Sequence, residues 1–333
     1  MRFLIATGIY PPEIGGPAYY AKHLAEAFRD KGHEVEIGTF GNLKSLPSGI
    51  RHVALFFKLL PGAISCDVVI ALDTFSAALP AYFAAKLFRK PIIVRTGGDF
   101  LWEQYEERTG DPLPLPFFYE KHKPFTLKEK IYFSLTKFML KRVLLAFSTN
   151  FQKNIWIPVY ELDGKRLQVI PNAITGTLEP VSPAKKNYLM YGRDLKLRNY
   201  ERLREAFAKA KTRMPDIELE EGQIPQQVLF ERIRAGYCVI LPSLTDISPN
   251  YVLDGLRAGK PFIMTKYSEY AEIYKDLGLF VDPLDPNDIA HKIEKMADDG
   301  IYSGFTEKIK QTKFTRTYAE LADDFIALAT PLI

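Results

Sequence analysis

The residue types most suited to chemistry lie within residues 241–262. A short apolar strand pattern runs into a loop that holds Asp246, and a helix pattern that holds Asp254 follows. Ser248 and Pro249 stand between them and suit a helix start, since proline fits the first helical turn. Two carboxylates, one at the mouth of the helix and one inside it, can accept hydrogen bonds from the hydroxyls of a sugar or ribose. Helix caps and a polar surface are the alternative interpretation.

A second group is basic and follows the strand predicted at residues 188–191. Arg193 comes directly after that strand, with Lys196 and Arg198 close behind. Ligands of open α/β folds bind at the carboxyl ends of parallel strands. Arginine there can hold a pyrophosphate through bidentate, charge-assisted hydrogen bonds. The pattern indicates an anion site, with a solvated basic loop as the alternative.

Two adjacent glycines, Gly15 and Gly16, separate the first strand pattern from the first helix pattern. A backbone without Cβ atoms can approach an anion closely at the positive end of a helix. The dinucleotide fingerprint G-x-G-x-x-G is not met. The glycines therefore favour either phosphate contact of another kind or an ordinary turn.

A polar and aromatic group follows another strand, predicted at residues 92–95. A Gly-Gly turn there leads into Asp99, Trp102 and Glu103. The aromatic face could pack against a sugar ring in the same crevice. A turn with a core tryptophan is the alternative.

Residues 117–147 combine many Phe, Tyr and Leu residues with seven basic ones. Cations beside aromatics on an amphipathic segment suit an anionic membrane surface. A core helix with a solvated basic face is the alternative. The basic residues are Lys121, Lys123, Lys128, Lys130, Lys137, Lys141 and Arg142.

Composition excludes several other classes. The 333 residues contain two cysteines and five scattered histidines, so we expect neither a disulfide scaffold nor a metal site. A net charge of +4 is too small to indicate nucleic-acid binding. No P-loop and no serine-hydrolase motif is present. No apolar run is long enough for a membrane span or a signal peptide, so a cytoplasmic protein is expected.

The elements that position these groups alternate between strand and helix patterns. Such alternation predicts a doubly wound parallel sheet. It restarts after a linker near residues 172–186, which predicts two α/β halves. Residues 96–130 are less regular and contain a proline-rich stretch, which favours a loop or lid.

These motifs together resemble those of the family 4 glycosyltransferases, which have the GT-B fold of two facing Rossmann-like domains. The resemblance covers nearly the whole chain. It implies an acceptor-binding domain over residues 1–172, a nucleotide-sugar-binding domain over 173–315, and a C-terminal helix over 316–333 that packs back on the first domain. It rests on PPEIGG at 11–16, VIPNA at 169–173, Gly192-Arg193, Arg198-Asn199, the stretch 241–261, which looks like the family's E-x7-E region and A-x-G-K-P turn, and Asp282-Pro283.

The resemblance also implies roles for individual residues. The loop of Gly15 and Gly16 would lie over the donor diphosphate, and Arg193 and Arg198 would neutralise it without a metal ion or another cofactor. Asp246 would contact the donor sugar. Asp254 would bind the ribose, and Ser248, Pro249 and Asn250 would make further contacts with the donor. Asn172 would belong to the interdomain hinge and cleft. On the acceptor side, Asp99 would contact the acceptor or handle its proton, and Trp102 and Glu103 would contact the acceptor.

Some positions depart from the family's pattern. Both glutamates of E-x7-E are aspartates, Asp246 and Asp254, and the usual donor-site lysine is Arg198. The expected activity is transfer of a sugar, with retention of configuration, from a nucleoside-diphosphate sugar to a glycan or lipid-linked acceptor, in cell-surface polysaccharide or glycolipid synthesis at the inner membrane face. A nucleotide-sugar epimerase on the same fold and a non-catalytic binding protein are the alternatives.

Overall fold

A computed structural model describes residues 1–13, 15–121, 125–174, 178–314 and 316–333, and for Gln226 the backbone only. The chain divides into two compact units. Unit 1 contains Met1–Leu101, Lys123–Ala173 and Arg316–Ile333, and unit 2 contains Trp102–His122 and Ile174–Thr315. Two positions quoted above, Ile14 in the glycine loop and Lys123 in the basic segment, lie outside the described residues.

Unit 1 is built on a six-stranded parallel sheet with the strand order β2-β1-β3-β4-β5-β6. The strands are short and mostly buried on both faces, as expected for a parallel sheet covered by helices. They are β1 (Arg2–Thr7), β2 (Glu34–Thr39), β3 (Val68–Ala71), β4 (Ile92–Thr96), β5 (Leu144–Phe147) and β6 (Leu167–Val169).

Helices cover both faces of this sheet. The connection from β1 to β2 runs in one direction along the sheet, and the connections β2–β3, β3–β4 and β4–β5 run in the other. Because crossovers between parallel strands are right-handed, the helix of the first connection lies on one face of the sheet and the helices of the other three lie on the opposite face. The helices are α1 (Gly16–Asp30), α2 (Ser48–Ser65), α3 (Ala78–Leu87), α4 (Phe100–Thr109, continuing into unit 2), α5 (Leu115–Phe118, in unit 2), α6 (Leu127–Leu140) and α7 (Asn150–Tyr160).

Unit 2 repeats the architecture with a five-stranded parallel sheet of order β11-β10-β9-β7-β8. Its strands are β7 (Lys186–Tyr191), β8 (Ile217–Gly222), β9 (Cys238–Leu241), β10 (Phe262–Thr265) and β11 (Gly278–Val281). Its helices are α8 (Tyr200–Arg213), α9 (Gln226–Ala235), α10 (Asn250–Arg257), α11 (Tyr270–Ile273), α12 (Pro286–Met296) and α13 (Asp299–Gln311).

The last helix, α14 (Tyr318–Ala329), belongs to unit 1 and packs against α1. Phe325 is fully buried in the core that α1 and the sheet share. Lys31 and Asp323 form an ion pair of 2.7 Å between the two helices. The C-terminal residues thus complete the hydrophobic core of unit 1.

The predicted α/β class with two parallel sheets is confirmed. The apolar spacing of residues 53–60 predicts a short helix, and the structure has a longer one there, α2 over Ser48–Ser65. The prediction of a loop or lid at residues 96–130 was wrong, because this region contains α4, α5 and the start of α6. In the part of the chain that the structure describes, no helix combines the length and apolarity needed to cross a bilayer.

Candidate active site

An arginine–aspartate pair stands at the carboxyl edge of the unit 2 sheet. Arg198 ends a short 3₁₀ turn, Lys196–Arg198, after β7, and Asp246 lies in the loop after β9. The Arg198 Nη1 donates to Asp246 Oδ2 at 2.9 Å and to Ser243 Oγ at 3.4 Å. Two residues that sequence analysis assigned to the donor are therefore in direct contact.

The environment of this pair is mostly closed to water. The side chains of Arg198 and Asp246 are 29% and 16% exposed. Burial raises the pKa of Asp246, and the charge of Arg198 opposes that rise. The Arg198 Nε is buried and has no hydrogen-bond partner among the described residues. A half-buried guanidinium that keeps an unused donor is suited to an incoming anion.

Asn199 fixes the loops around the pair. Its backbone is left-handed, with φ of 65°, a conformation that asparagine tolerates better than most residues. Its side-chain amide donates to the carbonyl of Pro242 at 2.9 Å and to that of Pro283 at 2.7 Å. This one buried amide ties together the chain segments that follow β7, β9 and β11.

Asp254 forms a second ion pair, on α10. Its Oδ1 accepts a hydrogen bond from Arg257 Nη1 at 2.9 Å, and the two side chains are 19% and 14% exposed. Burial raises the pKa of Asp254 to about 6, although Arg257 pulls it down. The carboxylate that sequence analysis assigned to the ribose therefore already has a cationic partner on the same helix.

The start of α10 carries the remaining donor candidates. Ser248 Oγ lies 3.4 Å from the hydroxyl of Tyr270. Pro249 is the N-cap of α10, where the missing N–H of proline removes no helical hydrogen bond. Asn250 is the first helical residue and is exposed. Arg193 is also exposed and forms no hydrogen bond or ion pair within the described residues.

The glycine loop lies in unit 1, at the N-terminus of α1. Gly15 has φ of +155°, and an added Cβ would come within 3.1 Å of Ile9. A Cβ added at Gly16 would meet no atom of the described residues within 4 Å. Gly15 is thus required by the backbone, whereas Gly16 borders open space at the positive end of a helix.

Asp99, the acceptor-side candidate, is fully buried in unit 1. Its Oδ2 accepts a hydrogen bond from the indole nitrogen of Trp156 at 2.8 Å. The preceding turn is held by Gln152, which donates to the Gly98 carbonyl at 2.7 Å and accepts from Thr96 at 2.5 Å. The structure thus places Asp99 inside a tightly bonded turn.

Trp102 and Glu103 belong to unit 2 and not to the unit that contains Asp99. Trp102 is buried, and its indole nitrogen donates to the Leu113 carbonyl at 2.7 Å. Glu103 is half-buried on the same helix. The structure does not group these three candidates in one unit.

Residues 102–121, which we call the inserted segment, contact the loops of the donor candidates. The Leu115 N–H donates to Thr245 Oγ1 at 2.9 Å, next to Asp246 in sequence. The Lys196 N–H donates to Glu107 Oε1 at 2.8 Å, two residues before Arg198. The segment therefore braces both loops that supply the arginine–aspartate pair.

Several of these supporting residues were missed by sequence analysis. Arg257 stands three residues after Asp254, the spacing of an ion pair on one helix face, so that contact was accessible from sequence. Ser243, Thr245 and Glu107 carried no such signal, because their partners are distant in the chain. In unit 1, Arg95 was missed as well, although it donates to Asn172 and stacks on the ring of Tyr20 at 4.1 Å.

Comparison with known proteins agrees with this arrangement. Residues 167–299 match the family model described as glycosyl transferases group 1. No curated protein sequence matches the chain. Among solved structures, a sucrose-phosphate synthase from Thermosynechococcus elongatus has a TM-score of 0.69 at 13% identity, covering 99% of this chain and 98% of that one.

Two further structures are similar over their full length. WaaG, a glycosyltransferase involved in lipopolysaccharide biosynthesis, has a TM-score of 0.70 at 14% identity, with 99% of each chain covered. A structure from E. coli, described as trehalose-6-phosphate bound with UDP-2-fluoro glucose, has a TM-score of 0.69 at 11% identity, with 100% of each chain covered.

The two parallel sheets and the likeness to these structures show that the chain has the GT-B fold. The family model described as glycosyl transferases group 1 matches residues 167–299, a stretch that contains β7 to β11 and the arginine–aspartate pair.

Proposed function

We propose that this protein is a glycosyltransferase that moves a hexose from a nucleoside-diphosphate sugar to a glycan or lipid-linked acceptor, with retention of configuration and without a metal ion. Cell-surface polysaccharide or glycolipid synthesis at the cytoplasmic face of the membrane is the setting we propose. The Arg198–Asp246 pair, whose guanidinium keeps a buried, unused Nε, is the observation that carries the proposal.

The proposed roles follow from the charges. The bond between the sugar's anomeric carbon and the diphosphate oxygen breaks, and negative charge develops on the leaving group. Arg198, held in place by Asp246 and Ser243, would stabilise that charge together with Arg193. A bond from an acceptor hydroxyl oxygen to the anomeric carbon forms, and the hydroxyl proton passes to the departing diphosphate.

Nucleotide binding is the first experiment. We would measure the thermal stability of the full chain with UDP, GDP, ADP, dTDP and CMP, each with and without magnesium. A ligand of the native state raises stability by about 2.7 kcal/mol at 100 times its Kd. We expect one nucleoside diphosphate to stabilise the protein equally with and without magnesium.

Matched variants connect such a shift with the proposed site. Arg198→Gln and Arg193→Gln should abolish or weaken the shift, and Gly16→Trp should do so by filling open space. Lys211→Gln, an exposed site on α8, is the control and should leave it unchanged. No shift with any nucleotide, or a full shift in Arg198→Gln, would contradict the proposal. Release of a free epimerised nucleotide sugar without acceptor would support an epimerase instead.

A further inference from the structure

Three neighbouring helices of unit 1 hold most of the exposed large hydrophobic side chains. Within the described residues, nine of fifteen such side chains lie on α2, α3 and α6, which contain 18, 10 and 14 residues. They are Ile50, Val53, Phe57, Ile64, Phe83, Leu87, Leu127, Ile131 and Phe138. Concentrations of this kind on a surface indicate an interaction site.

On α2 the exposed residues form a regular stripe. Ile50, Val53, Phe57 and Ile64 are 59%, 57%, 62% and 57% exposed, and they fall within an arc of about 60° at ~100° per residue. A second stripe on the same helix, which includes Leu55 and Leu59, is buried against unit 1. A helix that packs onto one domain needs only one apolar stripe, so the exposed stripe on α2 is available for another contact.

The same arrangement recurs on α6. Leu127, Ile131 and Phe138 are 76%, 50% and 42% exposed and occupy an arc of about 40° at ~100° per residue. On α3, Phe83 and Leu87 stand four residues apart, one turn along the helix, and are also exposed.

The three helices form one layer. They lie in consecutive connections, from β2 through β5, that cross on the same face of the unit 1 sheet. Helix α3 packs against both α2 and α6, and the rings of Tyr82 and Phe138 meet edge to face between α3 and α6. The exposed stripes therefore belong to one face of unit 1.

The charges on this face have one sign. The three helices carry six basic residues, and their one acidic residue, Glu129, is buried in the capping box of α6. Four of the basic residues, Lys58, Lys86, Lys128 and Lys130, are exposed. Lys137 and Lys141, the latter just beyond α6, share one carboxylate, that of Glu161. Exposed apolar stripes bordered by unopposed cations complement an anionic bilayer.

We propose that the face formed by the exposed residues of α2, α3 and α6 docks onto the surface of an anionic lipid bilayer, with the apolar stripes entering the headgroup region. This deepens the proposed function by assigning the membrane contact to a defined surface. It differs from the sequence-based expectation, which used residues 117–147 alone. Lys121 of that stretch belongs to unit 2, Lys123 lies outside the described residues, and α2 and α3 had not been considered.

Vesicle co-sedimentation of the full chain tests the proposal. We expect binding to vesicles of phosphatidylglycerol and phosphatidylethanolamine that weakens as salt is raised, and little binding to phosphatidylcholine alone. The double variant Phe57→Ser with Ile131→Ser should weaken vesicle binding by a factor of about ten or more. The double variant Lys86→Gln with Lys128→Gln should lose about 25-fold, since each lysine near the surface contributes about fivefold.

Matched controls lie in unit 2. Ile273→Ser removes a side chain that is 56% exposed, and Lys211→Gln with Lys275→Gln removes two exposed cations. Neither control should change vesicle binding. Thermal unfolding and the nucleotide shift should be unchanged in all these variants, which shows that each is folded.

Two results would overturn the proposal. One is equal binding of the wild type and both surface variants to anionic vesicles. The other is a concentration-dependent dimer that Phe57→Ser with Ile131→Ser abolishes, which would make a second copy of the chain the occupant. If the wild-type protein binds anionic vesicles but no nucleotide, the membrane proposal stands and the proposed donor site is contradicted.

Discussion

Asp254 illustrates how burial sets the chemistry of a single residue in this site. Its pKa of about 6 lies above the usual 3.8 because the carboxylate is largely removed from water. Arg257, its partner at 2.9 Å, compensates only in part. Because an ionised carboxylate is the better acceptor for ribose hydroxyls, donor binding should depend on its ionisation.

We therefore predict that the Kd for the nucleotide sugar rises as pH falls below about 6, by about tenfold near pH 5. Calorimetric titration from pH 5 to pH 8 measures this. A nucleotide sugar is the correct probe, because it lacks the terminal phosphate of a free diphosphate, which titrates in the same range. Asp254→Asn should bind weakly with a flat profile. A wild-type profile that is equally flat would contradict the ribose role.

The effect of Asp254 on stability has the opposite sign. Between about pH 4 and pH 6 the native state holds this proton more tightly than the unfolded chain does. The contribution of this group to the free energy of unfolding therefore falls as pH rises through that range. Stability and donor binding thus change in opposite directions, so the two measurements cannot be mistaken for one another.

At the scale of elements, the inserted segment is a brace for the loops that hold Arg198 and Asp246. The Leu115 N–H is buried, and its acceptor is Thr245 Oγ1, adjacent to Asp246. The ring of Phe117 also contacts Tyr267, whose carbonyl accepts the Asp246 N–H at 3.3 Å. Both contacts constrain the loop on which the aspartate stands.

Thr245→Val keeps the shape of the side chain but removes the acceptor for Leu115. We expect a loss of about 1–3 kcal/mol in stability from the unpaired buried N–H. We also expect nucleotide affinity to fall about fivefold, as Asp246 loses its fixed position. Titration calorimetry and urea unfolding measure the two effects. Thr212→Val, on the exposed part of α8, is the control. Unchanged affinity in Thr245→Val would show that the segment does not position Asp246.

The sequence was sufficient for the alternation of elements, because buried parallel strands and amphipathic helices have distinct periods. It predicted too short a helix for α2, because apolar residues on both sides of this helix obscure its period. It could not assign Trp102 and Leu115 to unit 2, because hydrogen bonds such as Leu115 to Thr245 join residues far apart in the chain. The Arg198–Asp246 contact likewise spans 48 positions.

At the scale of the whole molecule, each unit has its own core. The C-terminal helix α14 contributes Phe325, fully buried, to the core of unit 1. Phe325→Ala should therefore lower the stability of unit 1 by about 3–5 kcal/mol. Nucleotide binding should be kept while unit 1 stays folded, since neither the donor candidates of unit 2 nor Gly15 and Gly16 belong to this core.

Differential scanning calorimetry measures this prediction. We expect two transitions, of which a bound nucleoside diphosphate raises one and Phe325→Ala lowers the other. Leu332→Ala, beyond α14 and 37% exposed, is the control and should shift neither. A single transition that both the ligand and Phe325→Ala move together would show that the two units unfold as one.

The chain crosses between the two units four times. Residues 102–122 belong to unit 2, residues 123–173 to unit 1, residues 174–315 to unit 2 and residues 316–333 to unit 1. Neither unit is a continuous piece of sequence. A gene fragment that begins at residue 174 would encode the second sheet without the segment that braces its arginine and aspartate loops. A single genetic crossover near residue 173, which exchanges the second half of the sequence for that of a related protein, would therefore separate the inserted segment from the loops it braces. A functional chimera of this protein has to carry the inserted segment together with the half of the sequence that follows it.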